Sequence, residues 1–198
     1  MSNEKVYRPN VMTPEFVASF PVLFTPKVND LNGKEEYSVV ALFRKGEDLK
    51  TLQKAAHEAA VEKFGPDKAR WPKNLRSPFR DQGELERDGV QPDRTEPGAI
   101  FLRLKTTRKP GIVDQECQDI IDPHKVYGGC ILRATVRAYA YSQAGNNGVS
   151  LALVNVQFLR DGEPFGAARI PASKEFSPVS GTADDTADDG SDLFGGMK

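Results

Sequence analysis

The feature that most constrains the fold of this sequence is a long alternating segment that a turn joins to a second apolar segment. Apolar side chains occupy every second position across residues 130–141, a second segment rich in Val and Leu covers 149–159, and the connection is Gly145-Asn146-Asn147-Gly148. A period of two is typical of strands with one buried face, and glycine with asparagine favours a tight antiparallel connection. The sequence therefore predicts a β structure built around one long hairpin.

Three further strands and one helix are predicted before this hairpin, with the strands at about residues 16–24, 37–43 and 99–107. In the first strand, one face is expected to hold Phe16, Ala18, Phe20, Val22 and Phe24. The helix is predicted over about residues 48–64, because steps of three or four residues separate Leu49, Leu52, Ala56, Ala60 and Phe64. Gly65-Pro66 ends it.

Five strands with a helix between the second and third indicate a mainly β fold, a five-stranded OB-type antiparallel barrel with one inserted helix. An open sheet fits less well, because one helix cannot cover a whole sheet face. Residues 67–98 show no sustained period and form a long irregular insertion. We therefore expect a flexible arm at 1–13, a barrel domain at 14–176 and a disordered tail at 177–198.

The C-terminal tail carries a net charge opposite in sign to that of the rest of the chain. The whole chain carries a formal charge of −1 and residues 177–198 carry −4, which leaves +3 on residues 1–176. Blocks of like charge among small polar residues are typical of disordered interaction tails, although a merely solubilising tail stays possible. The tail residues expected to act are Asp184, Asp185, Asp188, Asp189, Asp192, Leu193 and Phe194.

Two strands place cationic groups beside aromatic rings on the face opposite their apolar residues. These residues are Phe101, Arg103 and Lys105 on one strand, and Arg133, Arg137, Tyr139 and Tyr141 on the other. Cations neutralise phosphates and exposed rings stack on unpaired bases, so this pattern favours single-stranded nucleic acid. The alternative is an ordinary solvated strand face. Within the insertion, Arg76 and Arg80 are expected on a groove wall and Phe79 to help stack bases. The alternative is that Trp71 and Phe79 anchor the loop to the core, which suits Trp71 in particular.

Signals for catalysis or metal binding are weak, so we expect no cofactor, no metal and no catalytic residue. Phosphate-cradling glycine loops are absent from the sequence. The spacing of Cys117, His124 and Cys130 is irregular for zinc. Asp114, Glu116 and Asp119 leave open a magnesium-dependent nuclease, and a protein–protein adaptor is the other alternative. Two cysteines and the lack of a membrane-spanning or secretory segment favour the cytoplasm.

Several segments of the sequence form a specific pattern in their order and spacing. The most specific are Val126-Tyr127-Gly128-Gly129-Cys130, Arg133-Ala134-Thr135-Val136, Asn147-Gly148-Val149-Ser150 and Arg160-Asp161-Gly162-Glu163-Pro164. Together with Pro78-Phe79-Arg80-Asp81 and Lys109-Pro110-Gly111-Ile112-Val113-Asp114, these segments resemble a family of small ssDNA-binding proteins of tailed bacteriophages and prophages. The resemblance covers about residues 14–165.

The resemblance implies an OB fold and sequence-independent ssDNA binding in phage replication and recombination. It also implies an acidic tail that contacts phage or host replication proteins, such as a polymerase or helicase, and competes with DNA for the basic groove. Tails of this class often end in an aromatic residue, whereas here four residues follow Phe194. The ssDNA contacts assigned above rest on the strand pattern and not on the resemblance.

Overall fold

The structure is a computed structural model that describes residues 9–30, 33–87, 95–143, 145–165 and 177. The chain divides into two units, Met1–Gly166 and Ala167–Lys198, and every element below lies in the first. Apart from Ser177, the predicted acidic tail lies outside the described residues. Its disorder and the boundary between residues 176 and 177 stay predictions.

Eight strands and two α-helices form within the described ranges. The strands are β1 (Val11–Met12), β2 (Phe16–Val28), β3 (Glu35–Leu42), β4 (Arg80–Asp81), β5 (Ile100–Thr106), β6 (Gly111–Val113), β7 (Ile131–Gln143) and β8 (Asn146–Arg160). The helices are α1 (Lys50–Phe64) and α2 (Gly83–Arg87), and short 3-10 helices cover Lys68–Arg70 and Pro123–Lys125. The predicted helix over 48–64 and all five predicted strands are confirmed, with ends displaced by a few residues.

Five of these strands close on themselves. The hydrogen-bonded order runs β7, β2, β3, β5, β8 and back to β7, and each neighbouring pair is antiparallel except β5 and β8, which are parallel. Closure leaves the barrel strands without a free edge. The OB-type barrel with an inserted helix is therefore confirmed.

The core fills the barrel and extends to the helix that packs on it. Leu104, Leu132 and Val136 are fully buried strand residues, and Leu52 from α1 joins the same apolar cluster. Burying one such side chain contributes about 1.5–3 kcal/mol, so helix packing against β7 and β8 stabilises the barrel wall that carries the long hairpin.

The hairpin connection is shorter than the sequence predicted. Gln143 and Asn146 are paired residues, so only two positions of the sequence separate the ends of β7 and β8. Gly145 has φ +81°, as two-residue hairpin turns require. The predicted turn over Gly145-Asn146-Asn147-Gly148 is therefore wrong in extent, because its last three residues belong to β8.

A bulge changes the face assignment of β2. The pairing with β3 shifts between Ser19 and Val22, and Phe20 has φ +45°. Phe20 is consequently 53% exposed, and Leu23 occupies the core at 2% exposure. The prediction that Phe20 and Val22 continue the buried face of Phe16 is wrong, because an extra residue in a strand reverses the alternation beyond it.

Short elements organise both regions that the sequence left irregular. In the expected N-terminal arm, Val11 and Met12 pair with β7 as strand β1. In the insertion, the Trp71 indole N–H donates to the Gly65 carbonyl at 2.8 Å, and its ring lies 5.6 Å from that of His57. Trp71 thus fixes the start of the insertion to α1, in agreement with the anchoring interpretation.

Candidate nucleic-acid interface

A groove of about 580 Å³ opens where the insertion crosses the barrel wall. Its lining comprises Arg76, Ser77, Pro78, Phe79, Arg80, Glu84, Arg103, Tyr141, Val149 and Ser150. Five of the ten residues predicted to contact DNA lie in this lining, and they come from three distant parts of the chain. They are Arg76, Phe79, Arg80, Arg103 and Tyr141. We call this surface the basic groove, because three arginines face one glutamate.

Backbone hydrogen bonds hold the insertion side of the basic groove against β8. The Arg76 N–H donates to the Asn147 carbonyl at 3.0 Å, and the Val149 N–H donates to the Arg76 carbonyl at 3.0 Å. The Asn74 side-chain amide also donates to the Gly145 carbonyl at 3.0 Å. Arg76 is therefore held against β8 by an isolated bridge to Gly148, at one side of the basic groove.

The floor of the basic groove consists of two guanidinium groups lying on one phenyl ring. The carbon centres of the Arg80 and Arg103 guanidinium groups lie 5.0 Å and 5.7 Å from the ring centroid of Phe101. Arg80 is the β4 partner of Phe101, and Arg103 follows two residues later on the same face of β5. Strand pairing and the pleat thus bring both cations over the ring.

Phe101 itself is completely buried, with an exposed fraction of 0%. Its ring packs in a small apolar cluster with Leu42 and Leu85. The prediction that the Phe101 ring is exposed for base stacking is therefore wrong. Alternation along β5 identified its face correctly, but β4 and its arginine cover that face.

Two tyrosines of β7 provide the aromatic part of the surface. Tyr139 is 47% exposed, and Tyr141 is partly buried where it lines the basic groove. Tyr141 pairs with Gly148 on β8, and a Cβ at Gly148 would overlap the phenol ring. Glycine at position 148 therefore makes room for Tyr141 to lie across β8, a role that sequence reasoning missed because it placed Gly148 in a turn.

Lys105 and Arg137 extend the cationic surface beyond the groove. Ala152 of β8 pairs with Lys105 on one side and with Arg137 on the other, so the two cations flank it on adjacent strands. Lys105 forms an ion pair with Glu36 at 3.2 Å, and the Arg137 guanidinium donates to the Asn10 side chain at 3.1 Å.

Arg133 lies away from the residues that line the basic groove. Eight residues separate it from Tyr141, or about 26 Å along an extended strand. Its Nε donates to the Gln157 side chain at 2.7 Å, and the Gln157 amide donates to the Asp114 carbonyl at 2.8 Å. The structure therefore does not bring Arg133 together with the basic groove.

Glu84 is a groove residue that the sequence did not identify. Nε of Arg80 donates to its carboxylate at 2.8 Å, and a second guanidinium nitrogen contacts the same oxygen. The only signal available in the sequence was the four-residue spacing of Arg80 and Glu84, which brings side chains together only on a helix. The insertion showed no helical period, so that spacing carried no weight.

The carboxylates considered for magnesium lie around a different groove, of about 570 Å³, which we call the acidic groove. Its acidic lining residues are Asp114, Glu116, Asp119, Asp122 and Asp161. Within the described ranges, no three His, Cys, Asp or Glu side chains are placed to hold one metal ion. Cys130 is buried in the barrel, where burial raises the pKa of its thiol, whereas Cys117 is exposed.

None of the helices in the described part of the chain has the length and apolar character needed to cross a bilayer.

A closed barrel whose wall carries arginines beside tyrosines has the architecture of an OB-type nucleic-acid-binding domain. Comparison with known protein families identifies one family within this class. The model of the Enterobacter phage Enc34 ssDNA-binding protein family matches residues 9–189, so the chain belongs to that family.

Solved structures share the fold at low sequence identity. The ssDNA-binding protein of bacteriophage Enc34 in complex with ssDNA matches with a TM-score of 0.60 and 19% identity, over 79% of this chain and 89% of that one. Its C-terminally truncated form gives a TM-score of 0.61 and 20% identity, over 79% and 88% of the two chains. The ssDNA-binding protein gp2.5 of bacteriophage T7 gives 0.57 and 16%, over 80% and 95%.

A relative with higher identity covers a shorter region. Putative protein p50 of Acyrthosiphon pisum secondary endosymbiont phage 1 is 31% identical over 103 residues, which are 52% of this chain. The match also spans only 52%, about half, of the length of that relative.

Proposed function

We propose that this chain is a sequence-independent ssDNA-binding protein that acts in phage DNA replication and recombination, in the cytoplasm of the bacterial host. The observation that carries the proposal is the convergence of Arg76, Arg80, Arg103 and Tyr141 on one groove in the barrel wall. Membership in a phage ssDNA-binding family supports it. The protein acts by binding, without a catalytic step.

Bases stack on Tyr139 and Tyr141, while the arginines of the basic groove contact phosphates. Every base has an aromatic face and every nucleotide a phosphate, so such contacts bind without regard to sequence. A duplex hides its base faces, and the exposed Tyr139 ring therefore favours a single strand. Phe79 contributes an apolar side to the groove, and Phe101 supports the arginines instead of stacking on bases.

Lys105 and Arg137 continue the phosphate path next to the groove. Arg133 contacts DNA only if the strand follows β7 over much of its length, because its position is about 26 Å from Tyr141. A short oligonucleotide held in the basic groove does not reach it.

The acidic tail has two roles in this proposal. Its aspartates, from Asp184 to Asp192, compete with DNA for the basic groove, and Leu193-Phe194 docks on phage or host replication proteins such as a polymerase or helicase. Opposite charge on the tail and on residues 1–176 supports the competition.

Fluorescence anisotropy with labelled oligo-dT and a duplex of equal length tests the proposed function. We expect tighter binding of the full chain to oligo-dT, and weaker binding after the double change Arg76→Ala and Tyr141→Ala. Equal affinity for both DNAs would contradict stacking on bases. Magnesium-dependent loss of label would favour a nuclease, and failure to bind any nucleic acid would favour an adaptor.

A further inference from the structure

The contact between Arg80 and Glu84 places a carboxylate inside the basic groove. Both side chains line it, with exposed fractions of 38% for Arg80 and 29% for Glu84. An anion in this position lowers the positive potential that would attract a phosphate. Because both groups remain partly exposed, an incoming phosphate can reach the same guanidinium.

Neighbouring contacts hold Glu84 at this position. The next residue, Leu85, is 3% exposed and packs in the apolar cluster with Phe101. Gln82 lies just before α2, and its buried amide donates to the Phe43 carbonyl at 2.7 Å and to the Ile100 carbonyl at 2.9 Å. The backbone on both sides of Glu84 is thus fixed to the barrel, and only its own side chain is left to rotate.

The guanidinium of Arg80 is also restrained, since it lies over the Phe101 ring and shares that ring with Arg103. Both guanidinium groups also line the basic groove, so an anion with several oxygens that enters the groove is the ligand that suits them. A phosphodiester can accept hydrogen bonds from both guanidinium groups, whereas the contacts above place the carboxylate of Glu84 on Arg80.

We propose that Arg80 and Arg103, held on Phe101, form one phosphate subsite of the ssDNA groove, and that Glu84 occupies its Arg80 side as a resident counter-ion that the phosphate displaces. The inference rests on the proposed ssDNA-binding function and adds a built-in competitor to it. DNA binding exchanges one anion for another at Arg80. The contact therefore contributes less to the free energy of DNA binding than a cation with no acidic neighbour would.

The test compares full-length variants in anisotropy titrations with oligo-dT at low and high salt. Glu84→Gln removes the competing charge and is expected to tighten binding about two- to fivefold at low salt, the range set by loss of one partly exposed ion pair. Glu116→Gln is the matched control, because it removes the same charge from the acidic groove. Thermal unfolding of each variant checks that the fold is intact.

A double-mutant cycle shows whether Glu84 acts through Arg80. In an Arg80→Ala background, Glu84→Gln is expected to change affinity no more than Glu116→Gln does. If Glu84→Gln does not fold, Glu84→Asp keeps the charge, withdraws the carboxylate by one methylene, and is expected to give a smaller gain.

The proposal is overturned if Glu84→Gln gains no more affinity than Glu116→Gln, if Glu84→Asp used in its place gains no more than Glu116→Asp, or if the gain persists without Arg80. Failure of the wild-type chain to bind oligo-dT would instead overturn the proposed function, so the two failures are distinguishable.

Discussion

The rings of Tyr139 and Tyr141 lie with their centroids 6.3 Å apart and their planes inclined by 46°. Residues two apart on a strand share a face, so the two rings form one aromatic surface that begins inside the basic groove and continues outside it. In the proposed mode of binding, these two adjacent rings provide stacking positions for two successive bases beside the arginines.

Replacing Tyr139 or Tyr141 with alanine should weaken ssDNA binding by about 1–3 kcal/mol, because each ring stacks on one base. The dependence of affinity on salt should stay unchanged, since neither ring carries charge. Anisotropy titrations with oligo-dT over a salt series measure both quantities. Tyr→Phe at each position retains the ring and should bind like wild type; wild-type affinity of both alanine variants would show that bases stack elsewhere.

Replacing Arg76 or Arg137 with alanine should lower the slope of log affinity against log salt by about 0.7, the value for one phosphate contact on a single strand. Arg160→Ala is the matched control, because Arg160 lines the acidic groove and pairs with Glu15 at 2.7 Å. The same salt titrations give the slopes. A change in the control as large as that in the groove variants would contradict the assigned phosphate path.

Gly148→Ala should reduce ssDNA affinity nearly as much as Tyr141→Ala does. The added methyl group would overlap the phenol ring of Tyr141, so this side chain must leave its position across β8. Adding Gly148→Ala to the Tyr141→Ala variant should cost little further affinity, because the displaced ring is already absent. Additive losses would mean that Gly148 acts independently of Tyr141.

A chain ending at Phe176 should bind ssDNA more tightly than the full chain, and most clearly at low ionic strength. Attraction between the tail and the groove is screened over about 8 Å at physiological salt, so the difference should shrink as salt is added. A full-length chain with the five tail aspartates changed to asparagine separates charge from length. If that chain binds like wild type, tail charge does not compete with DNA.

The ion pair of Glu15 with Arg160 joins the start of β2 to the end of β8 and should make stability depend on pH. The hydrogen bond from Arg160 lowers the pKa of the Glu15 carboxyl below 4.5, its usual value. The stabilisation is therefore present above the unfolded-state pKa and is lost as pH falls through the folded-state pKa.

Glu15→Gln should accordingly lower the Tm slightly at neutral pH, and by less at a pH below the lowered pKa. The effect is small because about half of each side chain is exposed. Thermal unfolding at the two pH values provides the measurement. An equal loss of Tm at both would show that packing, and not charge, links these residues.

Local patterns predicted most of the fold, because apolar alternation determines which face of a strand is buried. The period of β7 and the turn residues that follow it indicated the hairpin, and the helical period indicated α1. The number of bulges and the length of the hairpin loop depend on pairing between strands. For this reason the predictions for Phe20 and Gly148 failed.

The candidate site was predicted in part for a related reason. Alternation placed Arg103 and Tyr141 on exposed strand faces, and both line the basic groove. It could not show that β4 covers Phe101, because the covering residue, Arg80, lies about 20 positions earlier in the insertion. Glu84 was missed on the same ground, as the short helix that carries it depends on packing against the barrel.

Photocrosslinking of the full chain to oligo-dT containing 4-thiothymidine, followed by mass spectrometry of the crosslinked peptides, tests the binding surface most directly. We expect crosslinks at Tyr139 and Tyr141 and in the wall segment from Arg76 to Arg80. Crosslinks confined to the acidic groove or to Phe20, with none on β7, would contradict the assignment of the basic groove as the ssDNA-binding site.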